Sequence, residues 1–343
     1  MKVAFIVTRL VNQGPILVVR DLVAGLKSRG VDCSVFYFDE AKEISMGCEE
    51  RKISFWENLC FQEYDVVHSH GFRPDAYVYW HRSKMKHCKC ITTMHNYMQI
   101  DLAYQYSRFV SFIFSPVWLF LLRRHDIVVT LSKHALDYYK RWLPEKKLAY
   151  VYNAKTIDKS LNLNEQERGR LLQFRGDRRL IGVNALLTRR KGVDQLIKAL
   201  TFLPDYALVI VGDGQERVNL ECLAKQEGVK ERCLFLGYQL NAYRYLSYYD
   251  IYGMVSRSEG FPLSLIEAAA YGVPTVCSRI PIFEEVFADN EVAFFTLEDI
   301  SSLKNAILNT NKDMGNKFYA AYNERYTLDK MAQRYLDLYC NKL

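Results

Sequence analysis

No stretch of this 343-residue sequence is apolar over enough length to cross a bilayer. The longest apolar run, Phe109 to Leu122, has 14 residues and is broken by Ser111, Ser115 and Pro116, whereas a span needs roughly 18 or more. The apolar start Val3–Val7 ends at Arg9, too soon for the core of a signal peptide, and reads as a first buried strand. The cysteines lack a framework. There are nine, an odd number, scattered along the chain, and Cys88-Lys89-Cys90 is too tight for a zinc knuckle and has no second pair to answer it. A reduced, cytosolic compartment is the expectation. Charge of one sign is also short. A net charge of +7 favours phosphates or an acidic membrane surface, but falls below a nucleic-acid signature. There is no internal repeat, and no glycine fingerprint of the GxGxxG type.

What is present is the composition of a folded protein: half the residues are apolar and a quarter charged. The length exceeds what one hydrophobic core usually serves, so two domains are expected. Apolar strand-like runs alternate with amphipathic helical ones, the pattern of βαβ units around parallel sheets. In the first half the strands are Val3–Val7, Cys33–Phe38, Val66–His68, Cys90–Met94, Ile127–Leu131 and Tyr150–Tyr152. Helices are expected over Gly14–Arg29, about Phe109–Arg123 and Lys133–Trp142. Residues 154–178 are polar and poor in β-branched side chains, which marks a junction. The second half restarts at Leu180–Asn184 and continues with helix Val193–Leu200, strand Leu208–Val211, helix Glu216–Glu227 and strand Cys233–Leu236. Helix Ala242–Tyr248, strand Ile251–Val255, helix Ser264–Ala270, strand Thr275–Ser278 and terminal helices complete it. The expected domains are 1–155 and 156–325, with a C-terminal helix of about 326–343 packing back on the first.

The stretch Ser258–Pro274 carries the most chemistry. A strand ends in a polar loop holding Glu259, Gly260 lets the backbone approach a partner closely, and Pro262 suits the first turn of a helix that Gly272 and Pro274 stop. A helix N-terminus at a strand's C-terminal end is an anion site. Glu259 and Glu267 flank it, poorly placed for phosphate but well placed to accept hydrogen bonds from hydroxyls. Two glutamates alone read better as a helix-start acid and a solvated one. The basic turn Thr188-Arg189-Arg190-Lys191-Gly192 follows the first strand of the second half, and cations there can neutralise a diphosphate without a metal.

Glu259, Gly260, Phe261, Pro262, Leu263, Ile266, Glu267 and Ala268 together resemble the E-x7-E signature of the retaining glycosyltransferases of family 4. The resemblance covers nearly the whole chain, closely in the second half and loosely in the first. It implies an α/β architecture of the GT-B type, with two Rossmann-like domains whose parallel sheets face a central cleft. By that resemblance Glu259 contacts the donor sugar, Glu267 the ribose diol, and Phe261–Ser264 supply backbone amides. Lys191-Gly192 matches the family's basic loop. The family's earlier arginine is replaced near Ala185-Leu186, so Arg190, or else Arg189, stands in for it. Gly237 and Tyr238 occupy the place of the base contacts, and Gly14 that of the glycine loop under the donor phosphate; an ordinary βα turn explains Gly14 nearly as well. Val211-Gly212-Asp213-Gly214 reads as structural.

All seven histidines fall between His68 and His134. In Val67-His68-Ser69-His70 and Met94-His95-Asn96 they stand at strand C-terminal ends, and the resemblance makes His95 the catalytic-site histidine, with His68 and His70 structural. It implies no metal and no cofactor beyond the donor. The activity so implied is transfer of a sugar from UDP-sugar or GDP-sugar, with retention, to a saccharide or lipid-linked acceptor in cell-surface polysaccharide synthesis. A sugar phosphorylase or disaccharide synthase on the same fold, or a non-catalytic nucleotide-sugar binder, is the rival. Between His81 and Arg124, basic Arg82, Lys84, Lys86, Lys89, Arg123 and Arg124 mix with Trp80, Phe109, Phe112, Phe114, Trp118 and Phe120. That mixture fits a peripheral contact with the anionic inner face of the cytoplasmic membrane; a buried helix beside a solvated basic loop fits it as well.

Overall fold

The computed structural model describes residues 1–95, 97–105 and 107–341, so Asn96 lies outside the described residues. The chain forms two compact units, Met1–Thr156 with Tyr326–Leu343, and Ile157–Arg325.

The first unit runs β1 (Lys2–Val7), α1 (Gly14–Lys27), β2 (Asp32–Tyr37), β3 (Glu49–Lys52), β4 (Val66–Ser69), α2 (Phe72–His81) and β5 (Lys89–Met94). It continues with α3 (Met98–Gln105), α4 (Arg108–Leu122), β6 (Ile127–Thr130), α5 (Lys133–Tyr139) and β7 (Leu148–Tyr150). Its seven strands, all parallel, lie in the order β3-β2-β1-β4-β5-β6-β7. Strand β1 is central, and its unbroken apolar run reflects burial on both faces. Val3, Phe5 and Val7 join one core, and Ala4 and Ile6 the other, as a two-residue repeat dictates.

The second unit runs α6 (Glu165–Arg175), β8 (Arg179–Asn184), α7 (Val193–Leu200), β9 (Tyr206–Val211), α8 (Arg217–Gln226), β10 (Cys233–Gly237) and β11 (Ile251–Met254). Then follow α9 (Leu263–Tyr271), β12 (Thr275–Ser278), α10 (Pro281–Val286), β13 (Ala293–Phe295), α11 (Ile300–Asn309) and α12 (Lys312–Arg325). Its parallel sheet is ordered β10-β9-β8-β11-β12-β13. In each sheet the winding reverses once, between β1 and β4 and between β8 and β11. Such switch points leave a crevice at the strands' C-terminal ends, where α/β sheets hold ligands.

The last helix, α13 (Leu328–Tyr339), returns to the first unit. Met331, Tyr335, Leu338 and Tyr339 join the core that also holds Val19, Leu22 and Leu26 of α1. Gly25 permits the crossing: a Cβ there would lie 2.8 Å from the Ala332 Cβ. Two phenols lock the helix to the sheet. Tyr339 Oη lies 2.8 Å from His68 Nδ1, and Tyr335 Oη lies 3.0 Å from Thr93 Oγ1, which itself lies 2.8 Å from His68 Nε2.

Several elements differ from the sequence reading. Strand β3 is a polar edge strand, none of whose residues is fully buried, so it carries no alternation. Helix α6 lies inside the segment read as a junction. Its only buried side chain is Leu171, and a capping box between Asn164 and Glu167 starts it. Strand β7 ends at Tyr150, two residues before the expected end. Helices α2 and α3 and strand β13 have no counterpart in the sequence reading. Helix Ala242–Tyr248 is a 3-10 helix, and Pro262 stands at the N-cap of α9, one position outside its first turn.

Candidate functional site

In the second unit, the loops leaving β8 and β11 at the switch point bring three of the expected side chains together. After β8 the backbone is held by its neighbours: Leu187 donates its N–H to the Asp213 carbonyl at 2.8 Å. The Gly212-Asp213-Gly214 turn packs so closely on this segment that a Cβ at Gly212 would lie 1.8 Å from the Ala185 carbonyl oxygen. One at Gly214 would lie 2.4 Å from that of Leu187. That turn is therefore a structural support for the basic loop.

Arg189–Lys191 form one 3-10 turn, closed by Gly192 in the left-handed region at φ 66°. The turn aims Lys191 and Arg190 at Glu259. Lys191 Nζ lies 2.5 Å from Glu259 Oε1, and Arg190 Nη1 lies 3.1 Å from Oε2. Ser256 Oγ also donates to Oε1, at 2.6 Å, and Arg190 Nη1 donates to the Ser258 carbonyl at 2.8 Å. Arg189 is exposed, so of the two candidates Arg190 is the one turned toward the acid.

Glu259 is only 6% exposed. Burial pushes its carboxyl up, but Lys191 and then Arg190 pull it down, leaving it below the ordinary value. A buried carboxylate is tolerable here because it has two cations and a hydroxyl around it. Arg257 braces the same loop from outside. It pairs with Asp194 and Glu298 and donates to the Arg189 carbonyl.

Glu267, on α9, is buried. Burial pushes the Tyr252 phenol up, and Glu267 and Glu259 both add to that push, so the two acids act on one buried side chain. Gly260 is partly exposed, Phe261 and Pro262 are buried, and Leu263 is partly exposed at the helix start. Not every amide here is open. Leu263 donates to the Phe261 carbonyl at 3.1 Å, and Leu265 and Ile266 to that of Pro262 at 3.0 and 3.1 Å. A small cleft, lined by Asn184, Lys191, Tyr252, Ser256 and Ser264 among others, lies between the ends of β8 and β11. A larger one, lined by Arg279, Asp289, Phe294, Asp299 and Asn305 among others, shares no residue with it.

Gly237 ends β10 at φ 71°, and its carbonyl accepts from the Gly212 N–H at 2.8 Å. Tyr238 is exposed beside it. In the first unit, Gly14 opens α1 in an exposed turn where an added Cβ would meet nothing within 4 Å. The backbone does not itself demand glycine there.

His95 follows β5, partly buried, with Nε2 2.9 Å from His70 Nδ1. Burial pushes His95 down to about 4 and lowers His68 and His70 well below the ordinary imidazole value. His68 is a core residue. His70, expected to be structural, is the partner of His95. Sequence reasoning missed a second buried group: Asp75 accepts from Ser69, Thr92 and the Trp118 indole, with His125 Nε2 3.6 Å away. Nothing in the spacing of those residues signals it. Among the described residues no group of three or more metal-binding side chains forms.

The basic-aromatic region divides. Arg82 pairs with Asp126, and Lys89 donates to Asn341 Oδ1 at 2.6 Å, so both are internal braces. Phe109, Phe112, Ile113, Phe114, Val117 and Phe120 are exposed on α4, with Lys84, Lys86, Arg123 and Arg124 also exposed. Among the described residues no helix is long and apolar enough to cross a membrane.

Residues 164–325 match the family described as Glycosyl transferases group 1, and residues 14–158 match Glycosyltransferase Family 4. The O-antigen biosynthesis glycosyltransferase WclY of Escherichia coli is 32% identical over 354 aligned residues, covering 99% of this chain and 98% of that protein. The chain belongs to the bacterial glycosyltransferases of lipopolysaccharide and polysaccharide synthesis. This glycosyltransferase has the GT-B fold. The Anabaena protein Alr3699/HepE, solved in complex with UDP, superposes with a TM-score of 0.83 at 17% identity, each chain covered in full. The lipopolysaccharide outer core galactosyltransferase WaaB superposes at 0.72, with 16% identity and both chains fully covered. An E. coli UDP-Gal:alpha-D-GlcNAc-diphosphoundecaprenol alpha-1,3-galactosyltransferase is 30% identical over 152 residues, 41% of this chain and 39% of its own.

Proposed function

We propose that this glycosyltransferase takes its sugar from UDP-sugar or GDP-sugar, seated on the second unit, and transfers it with retention and without a metal. The acceptor is a saccharide or lipid-linked saccharide of a cell-surface polysaccharide, met at the inner face of the cytoplasmic membrane. The observation that carries the reading is the cluster of Lys191, Arg190 and Glu259 at the β8/β11 switch point. A diphosphate brings negative charge to two fixed cations, and charge developing on the departing phosphate meets partners that need no reorganisation. Glu259, held ionised, is an acceptor for sugar hydroxyls, and Glu267 for those of the ribose. His95 is the catalytic-site histidine. Gly14, Gly237, Tyr238 and Gly260–Leu263 complete the donor contacts. The cations supply the charge a metal would otherwise bring, and the departing phosphate serves as base for front-face attack.

Names of relatives support both donor and acceptor class, since one neighbour is solved with UDP and one relative acts on a diphosphoundecaprenol-linked sugar. The exposed apolar face of α4 and its flanking cations support the membrane contact. A thermal-shift screen of nucleotide sugars identifies the donor, and NMR of the product made from it reads the anomeric configuration. An inverted linkage rejects the mechanism.

A further inference from the structure

The imidazoles of His68, His70 and His95 form a continuous row. Ring centroids are 4.3 Å apart for His68–His70 and 5.2 Å for His70–His95, and Phe5 packs beside the first two. His68 is accounted for by Tyr339 and Thr93 on its two nitrogens. His70 differs. It is 4% exposed, its Nδ1 meets His95 Nε2 at 2.9 Å, and its buried Nε2 has no hydrogen-bond partner among the described residues.

Only one proton fits on the line between His70 Nδ1 and His95 Nε2. If His95 supplies it, neutral His70 must carry its own proton on Nε2, a buried N–H with nothing to accept it. If His70 supplies it from Nδ1, its Nε2 is left as a bare lone pair. Orphaned buried N–H groups are the rarer fault in proteins, so the second arrangement wins. His95 then accepts on Nε2 and carries its proton on Nδ1.

We infer that His70 is a positioning residue, fixing His95 as the neutral Nδ1–H tautomer so that it presents a hydrogen-bond donor to a sugar oxygen. This inference deepens the reading of His95 as the catalytic-site histidine and rests on it for its functional part. The pairing itself stands on geometry alone. The geometry also ranks replacements at position 70: asparagine places an N–H near the Nδ1 position, whereas glutamine reaches the Nε2 position and leucine places none.

The test is two-bond ¹H–¹⁵N correlation of the full chain labelled at histidine, at pH 7.5, with His95 assigned from a His95→Gln variant. The expected pattern is protonation of His95 at Nδ1 alone, retained in His70→Asn and lost in His70→Leu and His70→Gln. Release of nucleoside diphosphate from the bound donor should fall on the order of tenfold in the latter two, the scale for losing an orienting partner, and recover in His70→Asn. His95 protonated at Nε2 in the native chain, or an unchanged pattern in His70→Gln, overturns the inference. A His95→Ala variant with undiminished transfer removes His95 from catalysis and leaves the pairing untouched.

Discussion

Lys191 Nζ stands 2.5 Å from Glu259 Oε1 across two loops that are 68 residues apart in sequence. Arg190 holds the other oxygen of the same carboxylate. The acid and its cations therefore form one unit at the switch point of the second sheet. Removing one partner leaves a buried charge short of compensation, whereas removing both does not. Lys191→Met is expected to destabilise by about 3 kcal/mol, the low end of the range for buried pairs, because the lysine is partly exposed. Glu259→Gln should cost less, and the double variant should recover at least about 1 kcal/mol of the sum. Chemical denaturation of the four chains reads this cycle.

Gly192 sets the direction of that lysine. Its φ is 66°, and a Cβ would lie 2.1 Å from the Val255 carbonyl oxygen. Gly192→Ala must therefore move the end of β11 or the basic turn itself. It is expected to lower Tm and weaken nucleoside diphosphate binding roughly tenfold, although no donor-contacting atom is removed. Full affinity in this variant would contradict the geometry.

Acid should act in two windows. His95, lowered to about 4 from 6.5, and His68, His70 and His125, also lowered, stay neutral in the folded chain while the unfolded chain takes up protons. Their contribution to stability is present above 6.5 and is lost as pH falls, for His95 between 6.5 and about 4. Glu259, whose folded value is lowered from 4.5, adds a second loss only below 4.5. Melting curves from pH 8 to pH 3 should show the first decline reduced in His95→Gln and the second reduced in Glu259→Gln. A Tm unchanged between pH 7 and pH 4.5 would count against the buried neutral imidazoles.

The α4 face makes a separate prediction. Phe112 is 80% exposed and Phe109 72%, so changing both to aspartate removes no core packing and should leave Tm almost unchanged. Co-sedimentation with vesicles of 30% phosphatidylglycerol should fall by at least fivefold, and the wild-type signal should weaken with salt. No binding of the native chain to these vesicles removes the membrane contact.

The strands and the E-x7-E loop were legible because they carry their signal locally. Burial on both faces makes β1 and β9 unbroken apolar runs, and a helix stop such as Gly272 is required by φ 64° at its own position. The elements that escaped lack that local imprint. Strand β3 is polar on an edge, and α6 is held by its cap with one buried residue. The pairing of Glu259 with Lys191 and Arg190 joins two loops that only strand order brings together, and sequence spacing does not encode strand order. His70 was read as structural for the same reason. Its partner lies 25 positions away, just past the end of the neighbouring strand, a relation that exists only once β4 and β5 pair.

Calorimetric titration of UDP and GDP into the native chain and into Arg190→Ala/Lys191→Ala tests the central claim most directly. The account predicts that at least one nucleotide binds the native chain, and that the double variant, still folded by its melting curve, loses at least about 2 kcal/mol of that affinity with the two charge-assisted contacts. Equal affinity in both chains, or no binding of either nucleotide by the native chain, would contradict it.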